Sequence, residues 1–189
     1  MGQRLMTDYI KAYAGTLSPD QCQTLIARFE ADGDRHEAKG FDGGFSFVQL
    51  DVTKHWPDVH AVVDRIVQVC SQQYQNALGL APYWPTTRMQ EHIRLKRYMP
   101  GGRDQFPPHV DVMDQAAAAR FCTAIIYLNA PGGGETVFPE LGVVMPPEPG
   151  KLIMFPPLWT FPHAGLPPRD RPKYILHAYL WYSPAGEVR

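Results

Sequence analysis

The sequence has no surplus of charge of either sign. Its 18 lysines and arginines face 19 aspartates and glutamates, for a formal net charge of −1. That balance supplies no basic field to hold a phosphate backbone or an anionic lipid surface, so neither nucleic acid nor membrane is expected as a partner. Cysteine is scarce as well. Cys22, Cys70 and Cys122 stand in apolar contexts, form no CxxC pair and show no regular spacing. This excludes a disulfide framework or a cysteine-built zinc site and reads as buried thiols in a reducing compartment. No stretch approaches the ~20 apolar residues of a membrane span. The run MGQRLMTDYIKAY lacks the apolar core of a secretion signal, and Met6 does not fit a myristoylation motif. A cytoplasmic location is the expectation. There is no internal repeat, and Ala116–Ala119 is too short to count as low complexity.

What is present divides the chain in two. Ser18-Pro19-Asp20-Gln21 combines a cap, a first-turn proline and the far half of a capping box. Cys22, Leu25, Ile26 and Phe29 follow at helical spacing, which predicts a helix ending near Asp32-Gly33. Residues 35–44 are polar and glycine-rich and read as loop, residues 45–52 as a short strand. A second helix is predicted from Pro57 to Leu78, with Val59, Val62, Val63, Ile66, Cys70, Tyr74 and Ala77 on one face and Gly79 as its stop. Residues 81–87 read as a turn.

From about residue 90 the pattern changes to short β-like runs at 92–98, 108–112, 121–128, 150–155, 161–163 and 173–182. Most of the 19 prolines fall in this half and punctuate the junctions. Helices first and a β-sandwich after predict an α+β architecture in one domain, 1–189. Residues 1–90 form mostly helical support and residues 91–183 the sandwich.

The chemistry begins at PPHVD. Residues i and i+2 of a strand point to one face, so His109 and Asp111 can aim an imidazole and a carboxylate at one point. A further histidine from another strand would complete a two-His, one-carboxylate face, which suits Fe(II) that must keep positions open. By itself HxD is a weak motif. The blocks around it carry more: LKRY (Leu95–Tyr98), PHVD (Pro108–Asp111), TAIIYLN (Thr123–Asn129), GGGETVFPELG (Gly132–Gly142), GKLIMF (Gly150–Phe155), and PHAG followed by RPKYIL (Pro162–Leu176). In order and spacing, this half of the chain resembles the 2-oxoglutarate and Fe(II)-dependent oxygenase superfamily, and within it the prolyl 4-hydroxylase-like branch.

The resemblance implies a double-stranded β-helix, or jelly roll, in the C-terminal half, with the N-terminal helices packed on one sheet. It implies His109, Asp111 and His163 as iron ligands and Lys173, ten positions after the last histidine, as the partner of the far carboxylate of 2-oxoglutarate. It places Tyr98 and Tyr127 near the co-substrate, with core aromatics as the alternative reading, and strand alternation sets Thr123 on the Tyr127 face as a further candidate co-substrate residue. The cofactors implied are Fe(II), 2-oxoglutarate and O₂, with room for ascorbate. The activity implied is hydroxylation of an unactivated C–H bond, with a prolyl residue in a peptide or protein as candidate substrate. An aspartate at 111 fits hydroxylation, since related halogenases carry a small residue there.

Alternation supports the assignment of Lys173. Lys173, Ile175, His177, Tyr179 and Trp181 share one face, more polar than the other, as a cavity wall should be. Phe106, Val110, Ile125, Phe155 and Phe161 are expected to shield the site. His36, His55, His60, His92 and His177 lie outside the triad and read as structural or exposed. Arg103 reads as a solvated loop arginine, with substrate contact as the alternative, and Trp159 fits either the mouth of the site or the core. Segments 35–56 and 99–107 are candidate lids. The competing readings are a same-fold oxygenase acting on a free amino acid or other small molecule, a nucleobase dealkylase, a cupin-type metal enzyme without 2-oxoglutarate, and a non-catalytic metal-binding jelly-roll module. The oligomeric state is left open.

Overall fold

The computed structural model describes residues 4–40, 46–85 and 88–182. The strands are β1 (Lys11–Tyr13), β2 (Glu37–Gly40), β3 (Ser46–Asp51), β4 (Arg88–Gln90), β5 (Arg94–Tyr98), β6 (Phe106–His109), β7 (Arg120–Tyr127), β8 (Thr136–Phe138), β9 (Val143–Met145), β10 (Leu152–Phe155), β11 (His163–Gly165) and β12 (Lys173–Tyr182). The helices are α1 (Pro19–Ala31), α2 (Val52–His55) and α3 (Pro57–Leu78). An eight-stranded sheet runs β1-β10-β7-β12-β5-β3-β2, with β4 paired to the end of β12. A four-stranded sheet runs β6-β11-β8-β9. The strand pairs are antiparallel, as a jelly roll requires.

Both long helices begin where their sequences say. The Ser18 hydroxyl accepts from Gln21 N at 3.2 Å, and Ser18 N donates to the Gln21 side chain at 2.8 Å. α3 stops at Gly79, whose left-handed φ of 55° suits a residue without Cβ. The buried stripe of α3 is Val59, Val63, Val67, Cys70, Tyr74 and Leu78. Val62, expected on that face, is 49% exposed. α1 and α3 cover one face of the large sheet, where Cys22, Leu25, Phe29, Val63 and Val67 meet Leu95, Ala124, Ile126, Leu176 and Ala178. A second core fills the space between the two sheets, from Phe47, Ile125, Tyr127, Phe138, Ile153, Phe155, Phe161 and Ile175. The opposite faces of β7 and β12 thus serve two cores, which is why these strands are buried almost throughout.

The N-terminal half contributes more than helices. β1 joins one edge of the large sheet through β10, and β2 and β3 form the other edge. β2 lies in the stretch read as loop. Its residues are mostly exposed and polar, so it has no alternation to reveal it; pairing with β3, including the Gln49–Glu37 side-chain bond at 3.1 Å, defines it. β3 belongs to the sheet, so the candidate lid at 35–56 is not a free loop. Residues 41–45, and Thr86 and Thr87 of the expected turn, lie outside the described residues. The strand expected at 108–112 ends at His109, because Asp111 N and Val112 N turn to Pro157 O at 3.1 and 3.3 Å instead of continuing the ladder.

Gly150 locks β10 to the N-terminal segment. Its carbonyl accepts from Thr16 N at 2.8 Å and from the Thr16 hydroxyl at 2.9 Å. Its φ is 73°, and a Cβ there would collide with the Leu17 carbonyl. Gly150→Ala is therefore expected to destabilise the fold by about 3 kcal/mol, through backbone strain and overpacking together. Urea unfolding checks this; a midpoint within error of wild type would contradict it.

Candidate active site

The site forms where the small sheet faces β7 and β12. β6 is an edge strand, so Pro107 and Pro108 can stand in it without N–H groups to offer. In the β6–β11 register His109 lies opposite His163, and the two rings are 4.3 Å apart. Asp111 enters from the turn after β6. Its Oδ1 is 3.5 Å from His109 Nε2 and its Oδ2 is 3.7 Å from His163 Nε2. Each imidazole is held the same way, Nδ1 meeting the carbonyl two residues back: Pro107 O at 2.8 Å for His109 and Phe161 O at 3.1 Å for His163. A carbonyl only accepts, so Nδ1 carries the hydrogen and the Nε2 lone pair is left for a metal.

The carboxylate is fixed with equal care. Thr123 Oγ1 donates to Asp111 Oδ2 and the Tyr179 hydroxyl to Oδ1, both at 2.8 Å. Arg120 stacks 4.0 Å over the Tyr179 ring, donates to the Asp111 carbonyl at 2.9 Å, and is held by Glu91 at 2.9 and 3.0 Å. Burial raises the Asp111 carboxyl, but the influence of His109, His163 and His177 beside it outweighs burial and holds it well below the usual range. Burial pushes His163 down to about 4, with Asp111 opposing, so its imidazole is neutral at pH 7 and able to ligate. The three donor groups lie within 4.8 Å of one another. Two imidazoles and one carboxylate on one side of a point fit Fe(II) with positions left open.

A cavity with about 440 Å³ of free space, counting its open mouth, adjoins this triad. The same cavity reaches Lys173, which is only 3% exposed. Among the described residues its ammonium has no hydrogen bond and no ion pair; it lies over the rings of Tyr98 at 5.3 Å and Tyr127 at 5.9 Å. Burial lowers it to about 8, Glu135 raising it and Lys96 lowering it further. Gly134 makes room for its stem: a Cβ there would stand 3.0 Å from Lys173 Cδ. A buried ammonium without a counter-ion is costly, and a dicarboxylate supplies one.

Of the other residues singled out from sequence, Tyr98 lines the cavity, whereas Tyr127 and Thr123 stand behind it. The Tyr127 hydroxyl donates to Thr136 Oγ1 at 2.6 Å, and Thr136 itself is on the wall. Phe106 and Ile125 line the cavity, and Phe155 meets His163 edge-on at 4.7 Å. Trp159 is 78% exposed, which removes it from the core. His36 stacks on Phe29 and His92 pairs with Asp51. His177 is different: it is buried on the cavity wall, bonded through Nδ1 to Lys96 Nζ at 2.9 Å. The sequence assigned no ligand role to Lys96, Tyr179 or the Arg120–Glu91 pair, but the alternation of LKRY places Lys96 beside Tyr98 on one face and signals its position.

Comparison with known proteins agrees with this geometry. A sequence profile of the 2OG-Fe(II) oxygenase superfamily matches residues 93–181. The C-terminal half of the chain thus carries the domain of that superfamily. Among solved structures, viral collagen prolyl hydroxylase from Paramecium Bursaria Chlorella virus-1, in its 2OG complex, aligns with a TM-score of 0.66 and 26% identity over 93% of this chain and 97% of its own. A Pseudomonas putida prolyl-4-hydroxylase aligns at 0.64 and 21% identity, over 93% and 94%. A prolyl hydroxylase from Trichoplax adhaerens, in complex with a hypoxia inducible factor peptide fragment, aligns at 0.66 and 14% identity, over 93% and 84%. No curated protein sequence matches. The oxygenase is thus of the prolyl hydroxylase-like branch, with Fe(II), 2-oxoglutarate and O₂ as its cofactors. No helix among the described residues is long and apolar enough to cross a membrane.

Proposed function

We propose that His109, Asp111 and His163 hold the iron, that Lys173 binds the far carboxylate of 2-oxoglutarate, and that the chain, acting as one domain, hydroxylates a prolyl unit of a peptide or protein. One observation carries this reading: the unpaired, buried Lys173 opens onto the same cavity as the triad. A metal site without the co-substrate gives that ammonium no role. The prolyl preference is supported by the structural relatives, which are prolyl hydroxylases, one of them seen with a peptide fragment.

Bound Fe(II) would couple oxidative decarboxylation of 2-oxoglutarate to hydroxylation, one oxygen atom of O₂ going to succinate and the other to the substrate C–H bond. The protein's own part is positional. Carbonyls of Pro107 and Phe161 aim the two imidazoles, and Thr123 and Tyr179 keep the Asp111 carboxylate from turning away. Lys173 sets how far the co-substrate lies from the triad, and Phe106, Ile125 and Ile175 exclude water from the space between.

The test needs no substrate. Metal-free protein mixed anaerobically with Fe(II) and 2-oxoglutarate is expected to develop a weak visible charge-transfer band, saturable in both components. A folded, iron-loaded protein that gives no band rules the reading out.

A further inference from the structure

The cavity contains a second ammonium that neither the triad nor the co-substrate uses. Lys96, on β5, stands opposite Ile175, one step of the strand alternation from Tyr98, the partner of Lys173. It lines the cavity, lies 5.0 Å over the Phe47 ring and 5.9 Å over Phe106, and has no carboxylate in ion-pair range among the described residues. Its one hydrogen bond is to His177 Nδ1. An ammonium can only donate, so that nitrogen accepts and the hydrogen of the imidazole sits on Nε2. That N–H is buried and has no partner among the described residues. The wall therefore carries one buried N–H without an acceptor and, bonded to the same ring, an ammonium whose only acceptor is a neutral imidazole nitrogen.

The charges of the site make the gap plain. With a dication on the triad and a dicarboxylate reaching from it to Lys173, Asp111 and the co-substrate neutralise every positive charge but that of Lys96. The acids that approach it are committed elsewhere. Glu91 is held by Arg120 and by Trp181 Nε1 at 2.9 Å, and both oxygens of Asp111 take hydroxyls. A lysine placed for packing alone would be expected to meet one of these acids or to reach bulk water.

We propose that Lys96 and His177 form a second carboxylate-binding subsite, which reads an anionic group on the substrate. This rests on the oxygenase reading above and narrows its substrate class. The subsite shares a small cavity with the triad, so the carboxylate it binds belongs to the unit being hydroxylated: a C-terminal prolyl unit in place of one within a chain. A carboxylate is the anion of fitting size, since one ammonium and one imidazole N–H match its two oxygens and the cavity must also hold the co-substrate.

The experiment uses the anaerobic protein loaded with Fe(II) and 2-oxoglutarate, titrated with N-acetyl-L-proline and with N-acetyl-L-prolinamide. Perturbation of the charge-transfer band reports binding, and succinate released on admitting air reports turnover. The acid is expected to act at a concentration at least about tenfold below the amide, a difference of one charged hydrogen-bonded contact. Lys96→Met should erase that preference while 2-oxoglutarate still titrates normally, which also shows the variant is folded. Lys96→Arg, keeping the charge, should retain it. Equal response to acid and amide, no response to either in a protein that shows the band, or a loss of 2-oxoglutarate affinity in Lys96→Met as large as the loss for the acid would each overturn the subsite. Absence of the band altogether instead overturns the oxygenase reading, and the subsite with it.

Discussion

Asp111→Ala is expected to weaken Fe(II) binding by well over 100-fold and to abolish the charge-transfer band. Loss of a residue that only supports a metal ligand already costs roughly 10–100-fold in affinity, and here the anionic ligand itself is removed. The two histidines remain aimed, because their orientation comes from the Pro107 and Phe161 carbonyls and not from Asp111. The loss should therefore appear in metal affinity with the fold intact: far-UV circular dichroism unchanged, iron retention after gel filtration gone. Thr123→Val offers a graded comparison. It removes one of the two hydroxyl bonds that fix the carboxylate, so an intermediate loss of about 10–100-fold is expected. Unchanged iron affinity in Asp111→Ala would show that the metal sits elsewhere.

Lys173→Ala is the second large effect. The co-substrate's far carboxylate would enter a buried pocket with no cation to meet it, and stranding one partner of such a pair costs roughly 2–5 kcal/mol, or about 10²–10³-fold in affinity at the middle of that range. Titrating 2-oxoglutarate against the charge-transfer band measures it, and iron affinity in the absence of co-substrate should not change. The wild-type protein carries a pH signature of the same residue. Burial brings the free ammonium down to about 8, while the bound state requires it charged. Below pH 8 the cation is already present and affinity is flat. Above it, binding must take up a proton, so the dissociation constant should rise about tenfold per pH unit. A flat profile from pH 7 to pH 10 would remove Lys173 from co-substrate binding.

Much of this site was legible from residue order because its parts come as local motifs. PHVD puts two donor groups within three residues, and strand alternation on β12 placed Lys173, Ile175, His177 and Tyr179 on one wall, as the cavity lining bears out. The caps of α1 and α3 were legible for the same reason: Ser18 and Gln21 bond within one turn, and Gly79 stops its own helix. Elements that depend on distant partners were not. β1 and β2, three and four residues long, are too short to show a period, and exist because β10 and β3 lend them hydrogen bonds. The expected strand through Asp111 fails because Pro157, far along the chain, captures its N–H.

The sequence by itself determined which groups could bind iron and a dicarboxylate, since donor type and strand periodicity are properties of neighbouring residues. Only the tertiary structure decided that His109 and His163 stand in register across two strands. It alone placed the hydroxyls of Thr123 and Tyr179 on Asp111, and it left the ammonium of Lys96 in the same cavity with no acid to meet it. Those facts rest on contacts between segments tens of residues apart, whose distances are set by packing two sheets and not by local chemistry.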